Sequence, residues 1–520
     1  MKNIVFAIVG LAMACNSSQK PVLETAQDSV QETSSISFAE TITEAELKEH
    51  LYTYASDEFE GRETGKPGQK KAVEYLKSEY TKLGIPAAKD NGVYFQDVPL
   101  EINQLPTGSV NLNTLEYSLG EHILTFNAAN ASYKEIVYAG YGIEEDGYSD
   151  YEGLDVTGKM VLVKSGEPKK MDGTYKISGT QEKSIWSDLS ESLGKRMKLA
   201  SEKGAKGILY YDAANYSRFK SQFRYRKNNN NEKMELRSKG DQKFDKFFID
   251  TDFAKALFPE IENESTSRTV QVQLEFKISS QNEMVNSENV AAILKGSEKP
   301  DEYIIISSHL DHIGVTLDGD VNNGADDDGS GTVAMLEIAE AFKKAADAGK
   351  GPKRSIVFLH VTGEEKGLLG SLYYTDFEPI FPLNQTVANL NIDMIGRIDP
   401  KREGDRNYVY LIGSDKLSTD LHQLSEEVNK RYTNLELDYT YNDENDPNRF
   451  YYRSDHYNFA KNTIPIIFYF NGTHNDYHRP GDTPDKINYD LLMNRTKLIF
   501  HTAWEVANRD RKVVADKVSK

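Results

Sequence analysis

Apolar positions fall into two textures along the 520 residues. After about residue 289, short apolar runs rich in Val and Ile alternate with stretches in which apolar residues recur every three or four positions. Residues 303–307, 355–361, 387–392 and 464–469 read as strands, and 331–344, 367–374, 417–430 and 490–507 as helices. Continuous β-branched strands separated by amphipathic helices predict an α/β fold: a three-layer α/β/α sandwich around a mostly parallel central sheet. In such sheets chemistry collects beyond the carboxyl ends of the strands. Upstream, a helical pattern starts behind Thr43 as N-cap. A second runs over 68–83, with Ala72, Val73, Leu76, Tyr80 and Leu83 at helical spacing and Gly84 to end it. From about residue 132 the rhythm breaks into short strands (135–141, 160–164, 205–211) and one helix near 193–203. The expected organisation is therefore one catalytic domain in two parts, 39–131 and 286–520, around an inserted module at 132–285.

The amino-terminal end has its own pattern. Lys2 precedes an apolar run from Ile4 to Ala14, too short to span a bilayer and typical of an export signal. Leu11-Ala12-Met13-Ala14-Cys15 resembles a bacterial lipobox, although leucine stands four rather than three residues before the cysteine. Residues 1–15 are thus expected to be a lipoprotein signal ending in a lipidated cysteine. Residues 16–38, rich in Ser, Gln, Thr and Glu, read as a flexible tether. The expected location is an exported, lipid-anchored one on a bacterial membrane, outer membrane, periplasmic or cell-surface side. Cys15 is the only cysteine, which excludes a disulfide framework and a catalytic thiol. With 62 Lys and Arg against 81 Asp and Glu, the formal charge of −19 argues against nucleic acid as a partner. The basic stretch 218–246, with its Asn-rich patch at 228–231, reads as a solvated loop.

The residues that carry chemistry stand where the strand pattern stops. After 303–307 comes Ser308-His309-Leu310-Asp311-His312, after 355–361 comes Thr362-Gly363-Glu364-Glu365, and after 387–392 comes Asp393-Met394. Asn323-Gly324-Ala325-Asp326-Asp327-Asp328-Gly329-Ser330-Gly331 opens a helix, and Tyr477-His478 follows 464–469. A lone histidine is ordinarily structural, and His312 and His360 are read that way. The joint set of imidazoles and carboxylates on one rim suits zinc and a two-metal hydrolase. A calcium loop through Asp326, Asp328, Ser330 and Glu337 lacks its entering helix. Neither His-Glu-x-x-His nor Gly-x-Ser-x-Gly occurs.

The order His-x-Asp, Gly-Ala-Asp-Asp-Asp-x-Ser-Gly, Glu-Glu, Asp-Met, Tyr-His resembles the two-zinc aminopeptidase family that also includes glutamate carboxypeptidase. The likeness covers roughly 40–130 and 286–510, including Glu60-Gly-Arg62 and Gly65. Within the insert, 138–143, 154–163 and 204–211 resemble the protease-associated domain. The resemblance implies two zinc ions per chain bridged by Asp327. His309 and Asp393 would complete one site, and Glu365 and His478 the other. Glu364 would be the general base toward a zinc-activated bridging water, Asp311 would orient His309, and Tyr477 would steady the tetrahedral intermediate. The implied activity is removal of residues from the amino end of peptides. Carboxypeptidase action is the main alternative, given Arg397, Arg449 and Arg453 near the motifs, and glutaminyl cyclisation and a non-enzymatic receptor role are further ones. The preferred side chain, the residues that bind the substrate terminus and the oligomeric state are not legible.

Overall fold

A computed structural model describes residues 35–228, 233–237 and 244–518. The expected signal segment 1–15 with Cys15, most of the tether 16–38 and most of the Asn-rich patch lie outside the described residues. The chain divides into two compact units, one made of residues 1–96 and 289–520, the other of residues 97–288.

In the first unit, helices α1 (Glu44–Tyr54) and α2 (Pro67–Leu83) precede the sheet. Thr43 caps α1 by accepting the Glu46 N–H at 3.2 Å. Gly84 ends α2 in the left-handed region. Then follow β1 (Asn282–Leu294), β2 (Lys299–His309), α3 (Gly331–Asp347), β3 (Arg354–Val361), α4 (Leu369–Asp376), β4 (Thr386–Ile392), β5 (Tyr408–Ile412), α5 (Thr419–Val428), β6 (Glu436–Asp438), α6 (His456–Ala460), β7 (Ile466–Phe470) and α7 (Tyr489–Asn508). The strands lie in the order β1-β3-β2-β4-β7-β5-β6. The central four, β3-β2-β4-β7, are mutually parallel and coincide with the four strands expected from the apolar pattern. β1 and β5 join them antiparallel.

Alternation along these strands sorts the core. Ile304, Ile306, Ile356, Phe358, Leu390, Ile392 and Ile467 pack in one cluster with residues of α1, α2, α3 and α7. Ile305, Val357, Leu359, Val361 and Ile466 pack in another with Tyr374 of α4 and Phe459 and Ala460 of α6. Burying both faces explains why the central strands read as predominantly apolar runs. Among the described residues, no helix is long and apolar enough to cross a membrane.

One buried acid in this core is a stability determinant. Glu337 of α3 is 1% exposed, neither of its carboxyl oxygens has a hydrogen-bond partner, and His50 Nε2 lies 3.6 Å away. Burial, with Glu46 and Glu340 adding to it, pushes its carboxyl up to about 8. The folded state therefore holds a proton that the unfolded chain releases near 4.5. The protonated carboxyl's contribution is complete below pH 4.5 and is lost as pH rises toward 8. Glu337→Gln should flatten this fall and raise stability above pH 8 by on the order of 2–5 kcal/mol, read from denaturant unfolding across that range. A wild type equally stable at pH 5 and pH 8 would contradict it.

The second unit has its own eight-stranded sheet, in the order 115–118, 107–112, 268–279, 129–138, 160–164, 207–211, 245–249 and 123–124. Strands 160–164, 207–211 and 245–249 are parallel, and helices 189–202, 216–228 and 251–257 accompany them. The unit begins at Asp97, not at the expected 132, because strands 107–112 and 115–118 pair with 268–279 and with each other in this sheet. The basic stretch expected as a loop is helical up to Asn228, where Lys220 and Arg224 pair with Glu121.

Candidate active site

Each ligand-type side chain leaves the carboxyl end of a parallel strand or the loop beyond it. β2 ends at His309 and runs on into Asp311 and His312, β3 is followed by Glu364 and Glu365, β4 by Asp393, and β7 by the loop with Tyr477 and His478. The loop before α3 carries three consecutive acids, of which one faces the site. Asp326 Oδ1 accepts the Gly396 N–H at 2.6 Å and its Oδ2 accepts Asn471 Nδ2 at 3.1 Å. Asp328 Oδ1 accepts the N–H groups of Gly331 and Met394 at 2.9 and 3.1 Å, and its Oδ2 accepts that of His309 at 3.2 Å. Those two acids tie loops together, which leaves Asp327 as the acid that turns inward.

Buried cations and an outer acid hold the loops in place. Arg62 donates to the carbonyls of Asn323 and Gly324 at 2.6 and 2.9 Å. Gly61 brings that arginine in: at φ 62°, a Cβ there would lie 2.5 Å from the carbonyl oxygens of Asn322 and Gly314. Asp482 Oδ2 accepts the N–H groups of Asp326 and Asp327 at 3.0 and 3.2 Å. Arg495 of α7 donates to the carbonyls of Ile395 and Arg397, each at 2.7 Å, and so fixes the turn behind Asp393.

The inward side chains form two sets that share one carboxylate. His309 Nε2 lies 3.2 Å from Asp327 Oδ1 and 3.6 Å from Asp393 Oδ1. His478 Nε2 lies 3.1 Å from both Asp327 Oδ2 and Glu365 Oε2. Ligand atoms about 2 Å from a common zinc ion in tetrahedral array stand about 3.3 Å apart, which these spacings match. His309 Nε2, Asp327 Oδ2 and Glu365 Oε1 are buried with no hydrogen-bond partner, as expected of atoms that converge on an ion rather than on one another. His309 Nδ1 lies 3.0 Å from the carbonyl oxygen of Asp311. A carbonyl only accepts, so Nδ1 carries the proton and the Nε2 lone pair faces the carboxylates.

The electrostatics point the same way. Burial works to lower His478, but Asp327 and Glu365 overcome it and bring the imidazole up to about 10. Burial and Asp327 work to raise Glu365, but His312 and His478 leave it at about 2. Burial, helped by Glu365 and Asp393 and opposed by His309, pushes the Glu364 carboxyl well above the carboxylate range. Four carboxyl groups in so small a volume require compensating charge.

Residues 289–503 match peptidase family M28. This stretch is an M28 peptidase domain. The chain is similar to a probable zinc metalloprotease of Pyrenophora teres f. teres, 38% identical over 149 residues that make up 27% of this chain and 30% of that protein. It is also similar to a probable leucine aminopeptidase 2 of Aspergillus oryzae, 27% identical over 259 residues, 45% of this chain and 47% of that one. The curated relatives it matches are spanned over 14% to 52% of their own length. Among solved structures, an aminopeptidase from Aneurinibacillus sp. strain AM-1 aligns with 93% of this chain and 98% of its own, at 18% identity and a TM-score of 0.46.

Within the M28 domain all eight residues singled out in the sequence come to one rim or its support. The Asp311 carboxylate is 4.0 Å from His309 Nδ1, while it accepts Thr64 Oγ1 at 2.7 Å and the Glu364 N–H at 3.2 Å. Its main chain orients His309 and its side chain positions the Glu364 turn. Tyr477 stacks on His478 with ring centroids 3.9 Å apart. Glu337 is buried beside His50 instead of joining Asp326 and Asp328 in a calcium loop. Sequence reasoning gave Arg62 no role beyond its place in the Glu60-Gly-Arg62 likeness and missed Thr64, Asp482 and Arg495, which stand in no metal-ligand spacing. It also set aside His312, fully buried with Nδ1 2.8 Å from Glu365 Oε1.

A further His/Asp group, His122, Asp250 and Asp252, lies in the second unit, where no ligand spacing was evident. There His122 Nδ1 lies 2.7 Å from Asp250 Oδ2, and Asp250 Oδ1 accepts the Phe253 N–H at 2.9 Å. Asp250 is thus committed to capping a helix.

Proposed function

We propose that the chain is a zinc-dependent exopeptidase that removes residues from the free amino end of peptides. The observation that carries this reading is the pair of His/carboxylate sets sharing Asp327. His309, Asp327 and Asp393 would hold one zinc ion, and Asp327, Glu365 and His478 a second. Zinc bound there would supply Lewis acidity, polarising the scissile carbonyl and lowering the pKa of a water toward roughly 7. Glu364, raised above the carboxylate range and adjacent to the ligand Glu365, takes the proton from the attacking water and passes it to the departing amine. Asp311 holds the Glu364 main chain while its own carbonyl keeps His309 in the tautomer that exposes Nε2. Tyr477, stacked on His478, would steady the tetrahedral intermediate.

The wider reading has four parts. The two packed faces of the sheet form a three-layer α/β/α catalytic domain. The unit at 97–288 is a protease-associated insert, and peptides are the substrates. Lipid on Cys15, with residues 16–38 as spacer, holds the protein to a bacterial membrane. Cys15→Ala should then release the protein into the soluble fraction, and a variant still sedimenting with membranes would point to another anchor.

One observation favours the carboxypeptidase reading. Arg397 is committed to Asp476 and Asp482 at 3.1 and 3.8 Å, whereas the Arg453 guanidinium lies 3.5 Å from the Tyr477 hydroxyl, beside the site. A guanidinium there could receive a substrate carboxylate. Peptides with free ends, with an acetylated amino end and with an amidated carboxyl end separate the two readings. Cleavage of the free and amidated peptides with loss of the acetylated one is expected, and cleavage of the acetylated but not the amidated peptide would establish carboxypeptidase action instead.

A further inference from the structure

His312 belongs to neither ligand set above, yet its surroundings are unlike those of any other buried histidine in the described residues. It is fully buried, and neither of its ring nitrogens has a hydrogen-bond partner. The others each have one: His309 with the Asp311 carbonyl, His360 with Tyr80, His456 with the Tyr451 carbonyl, His474 with the Asp476 N–H, and His501 with Ser35. Leaving a buried polar nitrogen unpaired costs about 1–3 kcal/mol, so the arrangement calls for a compensating partner.

The direction of the ring identifies that partner. Nδ1 lies 2.8 Å from Glu365 Oε1 and 3.8 Å from Asp327 Oδ2. The first contact has the length of a hydrogen bond but not its direction, since neither atom is hydrogen-bonded. The same is true of His309 Nε2 beside Asp327 in the other set. A ring nitrogen and a carboxylate oxygen this close that make no hydrogen bond to each other can both turn a lone pair toward a common third position, as ligands of one ion do. The local chain is built to hold the ring there. The His312 N–H donates to the Arg62 carbonyl at 3.2 Å, and a Cβ on Gly324 would lie 2.6 Å from His312 Cγ and Cδ2, so the glycine makes room for the imidazole.

We propose that His312 Nδ1 is an additional ligand of the site formed by Asp327, Glu365 and His478, an inference that rests on the two-metal reading above. The two sites are then unequal. One has a single imidazole and two carboxylates and keeps open positions, and the other has two imidazoles and two carboxylates and is closed by protein. The closed site should bind the tighter ion.

Metal-free full-length protein titrated with Zn²⁺, and with Co²⁺ followed by its d–d absorption, tests this without reference to activity. The wild type should bind two ions in separate steps. His312→Ala and the bulkier His312→Gln should weaken the tighter step by about tenfold or more and alter its Co²⁺ spectrum, while the weaker step stays. X-ray absorption of wild type loaded with one equivalent of Zn²⁺ covers the case of a variant that fails to fold, and two imidazoles per ion are expected. A single imidazole there, or variants with both steps and the spectrum unchanged, overturns the assignment of His312 alone. A wild type that binds no ion overturns the metal reading and this inference with it.

Discussion

Glu364→Gln should lower turnover by roughly 10²–10⁴-fold while both metal ions remain bound. The expectation follows from a division of labour between adjacent glutamates. Glu365 faces His478 and His312 at 3.1 and 2.8 Å. Glu364 is held by its N–H on Asp311, and its carboxyl interacts with His309, Glu365 and Asp393 without sitting in either ligand set. Glutamine preserves the shape and the main-chain contact and removes only the capacity to accept a proton. Glu365→Gln should behave differently and lose one ion along with activity. Peptide hydrolysis and metal content measured side by side on the two variants decide between these roles, and full activity in Glu364→Gln would sink the proposed proton transfer.

Asp327→Asn should have the widest effect of any single change. Its two oxygens serve different histidines, Oδ1 facing His309 at 3.2 Å and Oδ2 facing His478 at 3.1 Å. An amide keeps one weak oxygen donor and loses the charge on which both sites depend, so both ions should bind more than roughly 10²-fold more weakly and hydrolysis should vanish at ordinary zinc concentrations. Asp326→Asn and Asp328→Asn act through main-chain hydrogen bonds and should loosen the loop instead of removing a ligand. Calorimetric zinc titration of the three variants distinguishes them. Equal loss in all three would mean that the triad of acids works as a charge cluster with no single bridging member.

The central sheet was legible because its four parallel strands are buried on both faces, which makes the stretches 304–306, 356–361, 387–392 and 466–469 predominantly apolar, with only His360, Asn389 and Asn391 as polar members. β1 and β5, which join that core antiparallel, carry apolar runs of their own at 290–294 and 408–412 that the sequence reading passed over, and the short β6 carries none. The insert's start escaped notice because strands 107–112 and 115–118 are half-exposed, and the first of them finds its partner in the sheet more than 150 residues later, at 268–279. Ligand candidates were visible because strand ends concentrate them. What supports them was not: Arg62 acts on carbonyls at 323 and 324, Asp482 on N–H groups at 326 and 327, and Arg495 on the turn after Asp393. Main-chain hydrogen bonds across such distances leave no residue spacing to read. His312 was set aside for the reason that a single histidine near a motif is ordinarily structural. Only its two unpartnered nitrogens, a feature of packing, mark it out.

The measurement that bears most directly on this account is the number of zinc ions bound per chain by the wild-type protein at saturation. Asp327 shared between a His309–Asp393 set and a Glu365–His478 set predicts two, removable together by a strong chelator with loss of peptide hydrolysis and restored together by zinc. A single ion at saturating zinc, with full activity, would contradict it.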